Sequence, residues 1–559
     1  MFFRAYERKK FLIVDDFDSF VISLKQMLRS MGASDVHSAR NGDEAIEACL
    51  SRHHDVVFCD YNMGDRKNGQ QVLEELRHRK LLRHTDIFCM ISAEASSDMV
   101  FGALEYSPDA YITKPITRAL LANRMDKLIE LKDSVLDINK AIDLEDYSKA
   151  ISLCAKHLRI GSKFKVWLYK TQANLFYMVG DYQHAKKIYN DILKGRDIDW
   201  ARLGLARVLL AEGNAAEAEA EFEFLLQKNP QLVEAYDLKA EAHRQQKQYK
   251  LAQQSLMAAT AISPMALTRQ RKLAELSVDI GDLEQAMSAY KQAVKLSDKS
   301  CLENSDTYLQ YAQVIADVTT KKAMETPDDP NLQRDTDLML KEASQALDRT
   351  RRRYAHDPGV VMRAHMAEAR NCQVAGKEHR ASDALEKAQA VVEKATANPE
   401  ATLDPIVLLD MAQSLFDIGR NEEGDALLKR LAETNADNPA VLQKINELIE
   451  EPVSMKEKLI ARERNKNGIQ AYEQNRFAEA ISYFEEAIAI TPLQVGLNLN
   501  FIQALVKMAS EKPLDKRLVE AGRSSLQALS RIDASDKQYK RFIHLQERFN
   551  KVTSSGASA

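Results

Sequence analysis

Along the first 130 residues, short apolar runs alternate with amphipathic stretches. Phe11-Leu12-Ile13-Val14, Val56-Val57-Phe58-Cys59 and Ile87-Phe88-Cys89-Met90-Ile91 are continuous and of strand length, the pattern of strands buried on both faces. Asp35–Ser38 and Ala110–Thr113 are weaker runs that complete a set of five. Helical spacing fills the gaps, over Phe20–Met31, Asp43–Leu50, Gln70–Arg77 and Ser97–Tyr106. Strand–helix alternation five times over predicts an α/β doubly wound parallel sheet. Such sheets carry their chemistry at the carboxyl ends of the strands.

From about residue 132 the strand pattern stops and a period replaces it. Ala150, Ala185, Ala218, Ala252 and Ala286 follow one another at steps of 35, 33, 34 and 34. Five residues before the last four stand Gly180, Gly213, Lys247 and Gly281, positions suited to a turn. Four residues after them stand Tyr189, Phe222, Leu256 and Tyr290, one helical turn along the same face. A period near 34 with this grammar is a helix–turn–helix repeat. The clearest copies read Tyr236…Ala240…Tyr249…Ala252…Ala259…Pro264 and Gly468…Phe477…Ala480…Phe484…Ala487…Pro492. Others centre on Ala381 and Gly424, with divergent copies around Ala343 and Ala521. These segments resemble tetratricopeptide repeats, which implies an all-α superhelical solenoid. The alanines and aromatics are read as core, small residues letting helices approach and rings filling the gap to the next repeat. Such an array binds proteins as a class without naming the partner.

Composition supports the helical reading. Glycine and proline together make 32 of 559 residues, against about 12% in an average chain, so turn-rich sandwiches and barrels are disfavoured. The net charge of −4 provides no general field for nucleic acid, and nucleic-acid binding is disfavoured. Six cysteines at 49, 59, 89, 154, 301 and 372 show no CxxC and no regular spacing, which fits a reducing compartment. Behind Arg8-Lys9-Lys10 only four apolar residues precede Asp15, too few for a secretory segment, and no stretch is long enough to span a membrane. A cytoplasmic location without membrane insertion is expected.

One edge of the expected sheet collects charge. Asp15 and Asp16 follow the first strand, Asp60 the third, Ser92 ends the fourth, and Lys114-Pro115 follows the fifth. Clustered carboxylates repel, by about 4 kcal/mol for a pair at 4 Å in a partly screened site. A hard dication would neutralise them, and oxygen ligands with room for waters suit Mg²⁺. This ordered set resembles the receiver domain of bacterial response regulators, a flavodoxin-like fold, over residues 8–131. The resemblance implies that Asp60 accepts a phosphoryl group from a sensor histidine kinase. It implies Mg²⁺ held by Asp15, Asp16, Asp60 and the backbone carbonyl of Asn62. Ser92 would bond a phosphoryl oxygen, Lys114 would pair with the phosphate, and Tyr111 with Ser92 would act as the conformational switch. Asn62 and Glu94 would set the phosphoryl lifetime. Gly64 stands where many receivers have proline, and the loop to Asn68-Gly69 is about one residue long.

The expected organisation is a receiver over 8–131, a repeat array over 132–530 with about nine or ten repeats, a capping helix over 531–552 and a disordered tail over 553–559. The expected role is a response regulator, not an enzyme, that signals through a protein partner in the repeat groove. A phosphate sink or decoy, and a constitutive scaffold, are the alternatives; homo-oligomers are compatible with the sequence. His53-His54-Asp55 is read as a solvated turn, and Arg349 with Arg351-Arg352-Arg353 as a solvated helix face. No glycine or proline lies between Pro115 and Gly161, so the last receiver helix should run on into the first repeat, with Asp133 or Ser134 between them. The receiver is expected to dock on the first repeat through its last strand and last helix, where Tyr111 lies.

Overall fold

The computed structural model describes residues 3–64, 66–93, 107–325, 331–396, 404–417, 420–450, 455–510, 512–530 and 538–555. The helix expected over 97–106 and Glu94 lie outside these residues. Two compact units are present, Met1–Thr307 and Tyr308–Ala559.

The first unit begins with a short helix α1 (Phe3–Glu7), followed by β1 (Lys10–Val14), α2 (Asp18–Ser30), β2 (Asp35–Ala39), α3 (Gly42–Ser51), β3 (Val56–Asp60) and α4 (Gly69–His78). β4 (Ile87–Ser92), β5 (Ala110–Thr113) and α5 (Arg118–Ser134) complete the α/β part. The five strands form one parallel sheet in the order β2-β1-β3-β4-β5. β3 and β4 are buried at every position because helices cover both faces, which is why their apolar runs are unbroken. Phe11, Ile13, Phe58 and Ile91 pack with α2 and α5 on one face, and Leu12, Val57, Phe88 and Met90 with α3 and α4 on the other.

α5 ends at Ser134 and, after Val135 alone, α6 (Leu136–Asp143) follows, so no flexible linker separates the sheet domain from the repeats. The helix pairs then recur, for example Asp199–Ala211 with Ala215–Lys228 and Val233–Gln245 with Tyr249–Ile262. Between the helices of successive pairs, Glu145, Gly180, Gly213, Lys247 and Gly281 all have positive φ, from 58° to 85°. That left-handed residue closes each helix and turns the chain back. The five period alanines are at most 1% exposed. At Gly204 a Cβ would lie 2.4 Å from the Tyr189 ring, the close approach that the small-and-aromatic pattern predicts.

The second unit continues the pairing, with Pro358–Val374 against Glu378–Thr396, Pro405–Asp417 against Asn421–Thr434, and Met455–Glu473 against Phe477–Ile490. Gly424 replaces the usual alanine because the Phe416 ring occupies that space, 2.8 Å from where a Cβ would be. The last helix, Tyr539–Ser555, buries Phe542, Leu545 and Phe549 against its neighbours. No described helix is long and apolar enough to cross a membrane.

Candidate functional site

Register brings the acidic residues together. Val14 pairs with Cys59 across β1 and β3, so Asp15 and Asp60 leave adjacent strands side by side. Ser92 pairs with Thr113, and the Lys114 N–H donates to the Ser92 carbonyl at 2.8 Å, fixing the lysine at the same edge. Its ammonium lies 2.8 Å from Asp15 Oδ2 and 3.3 Å from Asp60 Oδ1, with the Phe20 ring 4.2 Å away. Oxygens of Asp15, Asp16 and Asp60 all lie within 4.8 Å of one another. Asp15 and Asp60 are buried and Asp16 is exposed. One lysine therefore faces three carboxylates. Burial pushes the Asp60 carboxyl up to about 6; Lys114 works against that shift and Asp15 adds to it. The donor set is all oxygen, partly open to solvent, and carries a surplus of negative charge, so it fits Mg²⁺.

The remaining residues expected at the site are placed unevenly. Ser92 is buried at the end of β4, Asn62 is exposed in the loop after Asp60, and Tyr111 is half-buried against the core shared by α3 and α4. Glu94 is not among the described residues.

α4 is tied directly to Asp60. The Gly69 N–H donates to the Tyr61 carbonyl at 2.9 Å, and a Cβ on Gly69 would lie 2.4 Å from the Asp60 carbonyl oxygen. Only glycine lets the helix start this close to the acidic strand end. Asn68 and Gln71 form a capping box at the same point.

The docking face differs from the expected one. Among the described residues, the repeats are met by α4 and the loop after it. Gln70 Nε2 donates to the Met265 carbonyl at 3.4 Å, and Gln71 Nε2 to the Asp298 carbonyl at 2.8 Å. The Ser300 hydroxyl donates to Glu74 at 2.6 Å. Lys80 pairs with Glu145 at 2.6 Å and His84 with Asp143 at 2.9 Å. Gln70, Glu74 and Glu75 are all less than 9% exposed. In a sequence they read as a solvent face; instead the repeat loops satisfy Gln70 and Glu74, while Lys67 and Arg79 pair with Glu75 at 2.5 and 2.7 Å. α5 contributes Glu130, which pairs with Lys163.

His53-His54-Asp55 also departs from its expected solvated turn. His54 is 4% exposed, 3.3 Å from His37 Nδ1, and its pKa falls to about 4, through burial first and then the positive neighbours His37 and Arg52. His53 lies 3.2 Å from buried Asp86, at the sheet edge opposite the acidic pocket. Among the arginines, Arg351 bridges to Glu368 at 2.6 Å and Asp348 at 2.5 Å, while Arg349, Arg352 and Arg353 are exposed as expected.

Comparison with known proteins agrees with this geometry. Residues 11–126 match the response regulator receiver domain, and residues 233–264 and 272–300 match the tetratricopeptide repeat. The chain is 33% identical over 121 residues to chemotaxis protein CheY-3 of Vibrio cholerae, covering 22% of this chain and 92% of that protein. It is 31% identical over 121 residues to chemotaxis protein CheY of Pseudomonas aeruginosa, covering 22% and 96%. Among solved structures, a CheY-like receiver domain protein from Methanospirillum hungatei is 24% identical with a TM-score of 0.21, covering 22% of this chain and 97% of that one.

Proposed function

Because this chain belongs to the response-regulator receiver family through its N-terminal domain and continues into tetratricopeptide repeats, we propose that it takes a phosphoryl group on Asp60 and signals through a protein bound by the repeats. The observation that carries the chemistry is the Lys114 ammonium set between Asp15 and Asp60, at 2.8 and 3.3 Å. An Asp60 carboxylate oxygen attacks the phosphorus of a phosphohistidine; the new O–P bond forms as the N–P bond breaks, and the imidazole leaves with the electron pair. Lys114 then moves its pairing from carboxylate to phosphoryl oxygen, and the Ser92 hydroxyl donates to another. Mg²⁺, when held by Asp15, Asp16, Asp60 and the Asn62 carbonyl, supplies further neutralisation of the charge on the transferring group. Asn62 and Glu94 set access of water to the acyl phosphate and hence its lifetime.

The organisation proposed for this role is a receiver over 8–131, repeats over 132–530 and a capping helix beyond. No catalytic output domain is needed, since a sensor histidine kinase supplies the phosphoryl group and a partner protein reads the result. Support for communication comes from α4, which starts against the Asp60 carbonyl and through Gln70, Gln71 and Glu74 makes hydrogen bonds to the repeat loops at 265 and 298–300. The test is labelling of the full chain by acetyl phosphate with Mg²⁺, located by mass spectrometry. Label should sit on Asp60, vanish in Asp60→Asn and drop at least tenfold in Asp15→Ala with Asp16→Ala. Undiminished labelling of Asp60→Asn would overturn the reading.

A further inference from the structure

Far along the sequence from the acidic pocket, one buried polar side chain lacks a partner at both ends. Asn371 lies in the helix Pro358–Val374 and is 5% exposed. Neither its Nδ2 nor its Oδ1 has a hydrogen-bond partner among the described residues. A carboxamide that gives up water and receives nothing in return is destabilising, and native proteins keep few such groups without a reason. Leucine would fill the same volume without that cost.

Asn371 borders a cleft of about 420 Å³ where Leu332–Arg353 meets the pair Pro358–Val374 and Glu378–Thr396. That is far more than one water needs, and it lies within the ~300–1,000 Å³ typical of small-molecule sites. Leu340, Leu347 and Ala384 give the cleft a buried apolar part. Its charges do not balance. Asp337 is paired with Lys377 at 3.1 Å, Glu368 with Arg351 at 2.6 Å, and Asp383 with His379 at 3.3 Å. Lys341, Arg380 and Lys387 also line the cleft, and they make no ion pair or hydrogen bond through their side chains among the described residues. Asp337 and Glu368 are thus matched by cations, Asp383 faces only an imidazole, and three cations remain without an ion pair.

We propose that this cleft between repeats binds a mononucleotide, with the edge of its base on the Asn371 carboxamide and its phosphate on Lys341, Arg380 and Lys387. A carboxamide places one acceptor beside donors, the arrangement that reads a heterocycle carrying a donor next to an acceptor. Three unmatched cations suit a phosphate better than a single carboxylate. A ligand of this class answers both anomalies at once: it satisfies the buried amide, and it neutralises the rim. The site is independent of phosphoryl transfer at Asp60.

The experiment is calorimetric titration of the full chain with adenosine, guanosine, cytidine and uridine monophosphate, and separately with inorganic phosphate. One nucleotide should bind with 1:1 stoichiometry, with inorganic phosphate at least tenfold weaker. Asn371→Leu should weaken that nucleotide at least tenfold while leaving inorganic phosphate unchanged. Arg380→Ala with Lys387→Ala, both at exposed positions, should weaken nucleotide and phosphate alike and flatten the salt dependence; this pair decides the matter if Asn371→Leu does not fold. Asp60→Asn should bind as the unaltered chain does. The proposal is overturned if no monophosphate binds below millimolar concentration, if inorganic phosphate binds as tightly as any nucleotide, or if the cleft variants bind unchanged.

Discussion

Two single residues show how local chemistry constrains the receiver. Gly69 has no room for a methyl group: a Cβ would meet the Asp60 carbonyl oxygen at 2.4 Å and the Met90 sulfur at 2.7 Å. Since the first obstacle is backbone, it cannot turn aside. Gly69→Ala is expected to destabilise the receiver by about 1–3 kcal/mol and to slow labelling of Asp60, measurable by denaturant melts and acetyl phosphate incorporation. Equal stability and labelling would contradict the geometry. His54 supplies the pH dependence. Its folded pKa of about 4 lies below its ordinary 6.5, so the unfolded chain takes the proton first. Its contribution is therefore complete above 6.5 and is lost as pH falls towards 4, by about 3 kcal/mol at most. Asp35 opposes that shift, while His37, Arg52 and His53 reinforce it. His54→Gln should flatten the stability curve of the receiver between pH 6.5 and 4; an unchanged acid limb would show that His54 is not the group responsible.

Among elements, the repeat turns and α4 make opposite demands on sequence reading. Four successive turns place Gly180, Gly213, Lys247 and Gly281 in the left-handed region, and Lys247 alone among them carries a side chain there, at φ 61°. Left-handed backbone costs a non-glycine residue roughly 1–2 kcal/mol, while glycine gives part of this back through its freer unfolded chain. Lys247→Gly is accordingly expected to stabilise the array by about 0.5–1 kcal/mol, read from the melting midpoint; a loss of stability would mean that the lysine side chain makes a contact worth more than the strain. These turns were legible because a period repeats its own evidence, and the strands because both faces of Phe58 and Cys89 neighbours are buried and so uniformly apolar. The acidic edge was legible for a related reason, since strand ends fix where Asp15, Asp60 and Lys114 fall. α4 was legible as a helix but not as an interface. Gln70, Glu74 and Glu75 are polar, and nothing within 69–78 distinguishes a glutamate facing water from one facing Ser300 more than two hundred residues away. His54 was hidden likewise, as its partner His37 comes from β2.

Within the first unit as a whole, the connection between acidic pocket and repeats is short and polar. From Asp60 the chain passes through Tyr61 to Gly69, whose N–H is held by the Tyr61 carbonyl at 2.9 Å. Two turns of α4 then present Gln70, Gln71 and Glu74 to the loops at 265 and 298–300. The Ser300–Glu74 bond is buried at both ends, 6% and 8% exposed, so losing one partner leaves the other uncompensated. Ser300→Ala should cost about 1–3 kcal/mol, and a double-mutant cycle with Glu74→Gln should return coupling of similar size. If phosphorylation moves the loop after Asp60, this bond should feel it before any contact of β5. Amide hydrogen exchange of the full chain, with and without acetyl phosphate and Mg²⁺, measures that difference. Protection should change over 298–302 in the unaltered chain, stay constant in Asp60→Asn, and stay constant in Ser300→Ala even though Asp60 is still labelled. A change confined to β5 and α5, with 298–302 indifferent to phosphorylation, would move the path of communication back to the face that carries Tyr111.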